Sequence, residues 1–109
     1  MRDMVRAMQV EIRDTDLQPD RASELLNKLT ALIGNCNDEI READMEFAVV
    51  LLKHLDGEEA ANRAKIRAET TLEFQRKREA RDTKELVIEL VRSLKYVLKS
   101  QQEEMRLSR

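Results

Sequence analysis

Only two glycines and one proline punctuate the 109 residues of this chain. Tight reversals draw heavily on those two residue types, so a chain this poor in them must fold into few, long elements. The residues between decide the kind of element. Aromatics make up 3% and tryptophan is absent, so side chains suited to a pleated sheet are sparse. Ala, Leu, Glu, Lys, Arg, Gln and Met dominate instead, and these favour helix. Charged residues at 39% beside apolar residues at 41% fit solvent-exposed helices carrying a narrow apolar stripe. The expectation is an all-α fold in a single helical domain, residues 1–109.

The stripes place the helices. Met4, Val5, Met8 and Ile12 predict a short helix over 1–13, which the polar run Asp14 to Gln18 ends. Pro19 then suits the first turn of the next helix, where its missing N–H costs nothing, and Asp20 and Glu24 favour the positive end of that helix. From there Leu25/Leu26, Leu29, Leu32/Ile33, Cys36, Ile40, Ala43, Phe47, Val50/Leu51 and His54 recur at steps of three and four. This predicts one long helix over 19–55. Gly34 and Asn35 weaken it, but the rhythm stays in phase across them, with a break near Gly34 as the alternative.

Asp56-Gly57 is the clearest stop signal, with Gly57 expected as a left-handed cap. Glu58 and Glu59 suit the start of a second long helix over 58–106. Its stripe reads Ala61, Ala64/Lys65, Ala68, Leu72, Gln75, then Leu86/Val87, Leu90/Val91, Leu94, Val97/Leu98 and Met105. Asp82-Thr83-Lys84-Glu85 resembles a capping box, so a kink or restart there is the alternative to an uninterrupted helix. The short join makes the two long helices antiparallel neighbours. The expected fold is a long, coiled-coil-like antiparallel hairpin with a short N-terminal helix, in a form that allows dimerisation.

Net charge is −2, but residues 1–57 carry net −5 and residues 58–109 net +3. The two arms should therefore attract each other. No global pull toward nucleic acid or an anionic membrane results. No continuous apolar run marks a leader or a membrane span, so an intracellular, cytoplasmic protein is expected.

Little in the chain points to chemistry. A lone cysteine, Cys36, lies on the apolar stripe and reads as a small buried hydrophobe. The single histidine, His54, lacks the neighbouring His, Cys and carboxylate ligands of a metal site. Cys36 and His54 are 18 residues apart on one predicted helix, roughly 27 Å, so they cannot form a nucleophile pair within a chain. No glycine-rich phosphate loop is present. The expectation is a protein without catalytic activity, cofactor or metal.

The most suggestive feature is a basic row. Arg81, Lys84, Arg92, Lys95, Lys99 and Arg106 recur at helical spacing, Tyr96 stands beside them, and Arg76-Lys77-Arg78 extends the row. Such a row could contact phosphates while Tyr96 stacks on a base. The plainer reading is a solvated face salt-bridged to Glu85, Glu89, Glu103 and the acidic first arm. The candidate contact residues are therefore Arg76, Arg81, Lys84, Arg92, Lys95, Tyr96, Lys99 and Arg106. The methionines offer either gap-filling core or an adaptable contact surface.

The features Ala43-Asp44-Met45-Glu46-Phe47, Gly57, the alanines at 60, 61, 64 and 68, and Leu90-Val91-Arg92-Ser93-Leu94-Lys95 followed by Glu103-Glu104-Met105-Arg106 carry a resemblance. Over residues 40–109 the chain resembles a class of short bacteriophage and prophage proteins. The resemblance implies a helical hairpin from an early, DNA-metabolism or anti-host region, and no functional residue carries over from it. Three functions are then open. The first is a phage-encoded module binding a host or phage protein, for example as an anti-CRISPR-like inhibitor of a bacterial defence system. The second is a DNA-associated accessory protein of replication or recombination. The third is a structural coiled-coil oligomer. A homodimer fits all three.

Overall fold

The computed structural model describes residues 1–57 and 60–108. Among them the protein is all-α, with four helices and no strand: α1 (Arg2–Asp14), α2 (Pro19–Leu55), α3 (Ala61–Ala68) and α4 (Leu72–Leu107). The contacts sort into two compact units, Met1–Gly34 with Thr83–Arg109, and Asn35–Asp82. α2 runs unbroken through Gly34, so the in-phase reading there holds.

The first unit buries Val5 of α1, Ala22, Leu25, Leu29 and Leu32 of α2, and Val87, Leu90, Val91 and Leu94 of α4. These follow the three-and-four spacing of the sequence, one apolar stripe per helix. Each large aliphatic side chain so buried contributes roughly 1.5–3 kcal/mol. At 13 residues α1 is too short to be stable alone. It ends at Thr15, whose extended backbone leaves the helix while its N–H still bonds the Glu11 carbonyl. Pro19 opens α2, with the Gln18 carbonyl accepting the Ala22 N–H at 2.9 Å. Leu17 is buried just ahead of it, and its carbonyl accepts a 2.8 Å hydrogen bond from the Gln101 amide. That bond sets the end of α4 beside the start of α2.

The second unit buries Cys36, Ala43 and Phe47 of α2 and Ala64 and Ala68 of α3. Phe74 of α4 meets Phe47 with ring centroids 5.3 Å apart and a 48° tilt, a favourable aromatic arrangement. Phe74, Arg76 and Arg81 meet Phe47, Glu46 and Asp44 in turn. One set of numbers rises while the other falls, so α2 and α4 pair antiparallel here, as the hairpin expectation requires.

Two details differ from the sequence reading. The helix expected over 58–106 is not continuous: it is divided at Glu69–Thr71 into α3 and α4. The reason is local. The Thr70 and Thr71 hydroxyls donate to the carbonyls of Arg67 and Ala68, at 2.7 and 2.6 Å. These bonds give the backbone an alternative to helix. Thr71 then accepts the Phe74 N–H at 3.3 Å, acting as the N-cap of α4. α4 instead passes through Asp82-Thr83-Lys84-Glu85 without a break. The restart also shifts the helical phase. Leu72 and Gln75, expected on the stripe, are exposed, and Phe74 takes the inward place; Ala61 and Lys65, ahead of the restart, are exposed as well. Gly57, expected in the left-handed region, does not have a positive φ, and its N–H bonds the His54 carbonyl at 3.3 Å. The expected helix start at Glu58 and Glu59 lies outside the described residues.

Candidate protein-interaction surface

The basic row resolves into two groups with different roles. In the second unit Arg76 is engaged on three sides, with Glu46 at 2.5 Å, Glu39 at 3.3 Å and Glu42 at 3.6 Å. Its hydrogen bonds to Glu46 and Glu39 raise its pKa above the ordinary arginine value. Arg81 pairs with Asp44 at 2.8 Å. Lys77 lies 4.7 Å from the Phe47 ring centroid, within cation–π range. These cations tie α4 to the acidic face of α2, which is the attraction the charge asymmetry predicts.

The remaining candidates belong to the first unit. Lys84 is half-buried, and Arg92, Lys95, Tyr96, Lys99 and Arg106 are exposed, Tyr96 at 74%. Among the described residues Arg92, Lys95, Lys99 and Arg106 have no carboxylate within ion-pair distance, so the salt bridges expected to Glu85, Glu89 and Glu103 are not made. At 3.6 residues per turn Arg92, Lys99 and Arg106 lie on the side of α4 away from Leu90 and Leu94, and Glu103 lies among them. That one carboxylate offsets only part of the positive charge on that side.

The feature that sequence reasoning missed is on α2. Met45, Val49, Leu52 and Leu55 are 65%, 53%, 59% and 41% exposed. Ala48 between them is exposed as well. Met45, Ala48, Leu52 and Leu55 follow the three-four-three steps of a coiled-coil seam. They stand on the side of the helix opposite Ala43 and Phe47, which are buried. The end of α2 is thus apolar nearly all round, a pattern that normally marks a covered helix. The signal was available in the run Phe47-Ala48-Val49-Val50-Leu51-Leu52, which holds more apolar residues than one buried face can use. None of the five methionines is buried, and Met45 lies at the start of this face.

Cys36 is 1% exposed. His54 is half-buried near the end of α2. Among the described residues no three His, Cys, Asp or Glu side chains converge as metal ligands, and no helix is long and apolar enough to cross a membrane. In the first unit an open depression of about 540 Å³ is lined by Leu17, Pro19, Gln101 and Met105 among others. The Gln101 side-chain oxygen is buried there without a partner, while its nitrogen is committed to Leu17. Compared with known protein families, curated proteins and solved structures, the chain matches none.

Proposed function

We propose that this protein is a non-catalytic helical interaction module that binds another polypeptide through the exposed α2 face of Met45, Ala48, Val49, Leu52 and Leu55. The observation that carries this reading is that face itself: four large apolar side chains, each more than two-fifths exposed, in one row on a helix. Contiguous exposed apolar surface of this kind marks interaction sites on small proteins, and helices are commonly read through anchors at this spacing. The resemblance over residues 40–109 supports a phage origin. The protein then works in the cytoplasm of a bacterial host by occupying a surface on a host or phage protein, an anti-CRISPR-like inhibitor of a defence system being one concrete form. The test is affinity capture from a bacterial extract with the wild-type chain and with Leu52→Glu. The reading expects a polypeptide held by the wild type and lost with the variant; identical capture by both would remove it.

A DNA-associated role is the second reading, favoured by Arg92, Lys95, Lys99 and Arg106 standing exposed without acidic partners among the described residues, beside Tyr96. It requires retention on single- or double-stranded DNA at low salt that fades as salt rises. Charge reversal at Arg92, Lys95 and Lys99 should abolish that retention, and an absence of low-salt binding removes the reading.

A further inference from the structure

We propose that the polypeptide covering the α2 face is a second copy of this chain, docked antiparallel about a two-fold axis that passes between Ala48 and Val49. The inference rests on the reading of that face as a binding surface; the second copy occupies it in the isolated protein and yields it to a host or phage polypeptide.

Three properties of the face fit a two-fold mate. First, the row is self-complementary. An isologous interface brings each residue against its symmetry counterpart's neighbour, so one patch must match itself. With the axis at Ala48 and Val49, Met45 of one copy meets Leu52 of the other on both sides of the crossing. Large residues thus face large ones, and the small Ala48 lies where the backbones come closest. Second, the charges flanking the row are placed for this direction. At about 100° per residue, Glu42, Glu46 and Lys53 stand along one edge of the row, the carboxylates toward its start and the amine toward its end. In an antiparallel pair the same edge of each helix meets, running in reverse. Lys53 of each copy therefore faces Glu42 and Glu46 of the other, whereas a parallel pair would not bring these edges together. Third, Glu42 and Lys53 are open to a further partner, whereas Glu46 is already held by Arg76 at 2.5 Å. Glu42 is 65% exposed and only loosely held, 3.6 Å from Arg76, and Lys53 is exposed without an acidic partner among the described residues. In this register Leu55 of each copy lies opposite Glu42 of the other, so the matched apolar contact is confined to residues 45–52, about two helical turns. A small interface of this kind dissociates readily on dilution.

Sedimentation equilibrium of the full chain, from low concentration to roughly 100 μM, tests this, since an association with a midpoint near 1–100 μM registers in that range. The expected result is a mass rising from the 12.7 kDa of one chain toward twice that value. Leu52→Glu should keep the helical circular dichroism of the wild type and stay at the mass of one chain throughout. A charge series reads the direction independently of the apolar row. Lys53→Glu should weaken association at least tenfold, and Glu42→Lys combined with Lys53→Glu should restore much of it. A wild-type chain that remains a monomer over the whole range overturns the inference, as does a dimer that neither Leu52→Glu nor Lys53→Glu affects. If the chain is a monomer yet Leu52→Glu still loses a captured bacterial protein, the face binds a foreign polypeptide, and only the present inference fails.

Discussion

Arg21, in the first turn of α2, reaches back to Glu11 with two guanidinium nitrogens, at 2.6 and 2.8 Å from the two carboxylate oxygens. The fork-to-fork geometry is the most directional form an ion pair takes. It joins α1 to α2 across the Asp16–Gln18 connection. Because α1 buries only Val5 completely, this pair supplies much of what orients the helix. Arg21→Gln should therefore loosen α1 selectively. Amide hydrogen exchange is expected to accelerate over residues 5–14 while the amides of Leu25 to Leu32 keep their protection. Uniform acceleration across both helices would mean that the pair supports the whole unit instead.

The same pair gives stability an acid dependence. The Arg21 hydrogen bond holds the Glu11 carboxyl below its ordinary value of 4.5, and hydrogen bonds from Lys28 and then Arg21 do the same for Glu24. A carboxylate whose pKa is lower folded than unfolded stabilises the folded state above the unfolded value. That stabilisation is lost as pH falls through the lowered native value. Stability should thus be flat above about pH 5 and decline below 4.5, shallowly, because these groups are largely solvated and screened. Urea midpoints measured across this window in wild type and Arg21→Gln test the assignment. The variant should decline less steeply, and parallel curves would place the acid sensitivity elsewhere.

Gly34 offers the opposite change. It sits inside continuous α2, is exposed, and a Cβ built there would have nothing within 4 Å. Gly34→Ala should stabilise the protein by about 1 kcal/mol, the difference in helix propensity and unfolded-chain entropy. A higher urea midpoint with an unchanged slope is the expected readout. A lower midpoint would show that α2 needs to bend at this residue.

How far the fold was legible in the sequence follows from where local and tertiary signals agree. α2 could be read to its ends because Pro19 opens it and Asp56-Gly57 follows it, with an in-phase stripe between. The division of the second arm was missed: the arm read as one helix, and the alternative break was placed at Asp82-Thr83-Lys84-Glu85, which has the spelling of a capping box, whereas Thr70-Thr71 has only two hydroxyls. The helix broke where those hydroxyls found the carbonyls of Arg67 and Ala68. At Asp82 good helix formers on both sides carried it through. The basic row was legible as charge and in its pull toward the acidic first arm, but not in which cations make that contact. Whether Arg76 faces solvent or Glu46 depends on the phase set by the restart at Thr71, which no spacing rule contains. The α2 face was hidden for a related reason. Stripe analysis finds the apolar side that is buried, and a second apolar side looks like surplus core until the packing leaves it bare.

Arg76 tests that ion-pair assignment. Glu39, Glu42 and Glu46 occupy neighbouring turns of α2, and like charges at this spacing repel. Arg76 neutralises all three. Arg76→Gln should destabilise the protein at low salt, and added salt should recover most of the loss by screening the carboxylates. A loss that salt does not recover would identify packing of the Arg76 stem, not its charge, as the important contribution.

Thr71 is the residue on which the restart of α4 depends most directly. Its hydroxyl oxygen accepts the Phe74 N–H, an orphan group at the start of α4, while its proton goes to the Ala68 carbonyl at the end of α3, which also accepts the Thr71 backbone N–H. Thr71→Ala removes both bonds and should cost about 1 kcal/mol, the usual loss for an N-cap. Thr71→Ser keeps the hydroxyl and should recover most of it. Thr70→Ala deletes a hydroxyl that serves only the Arg67 carbonyl and is exposed, so it should cost less. Thermal melts of the three variants rank them. If Thr70→Ala proves as damaging as Thr71→Ala, the cap is not what positions Phe74 against Phe47. The antiparallel pairing in this unit would then rest on the aromatic contact, the Lys77–Phe47 contact and the Arg76 and Arg81 ion pairs.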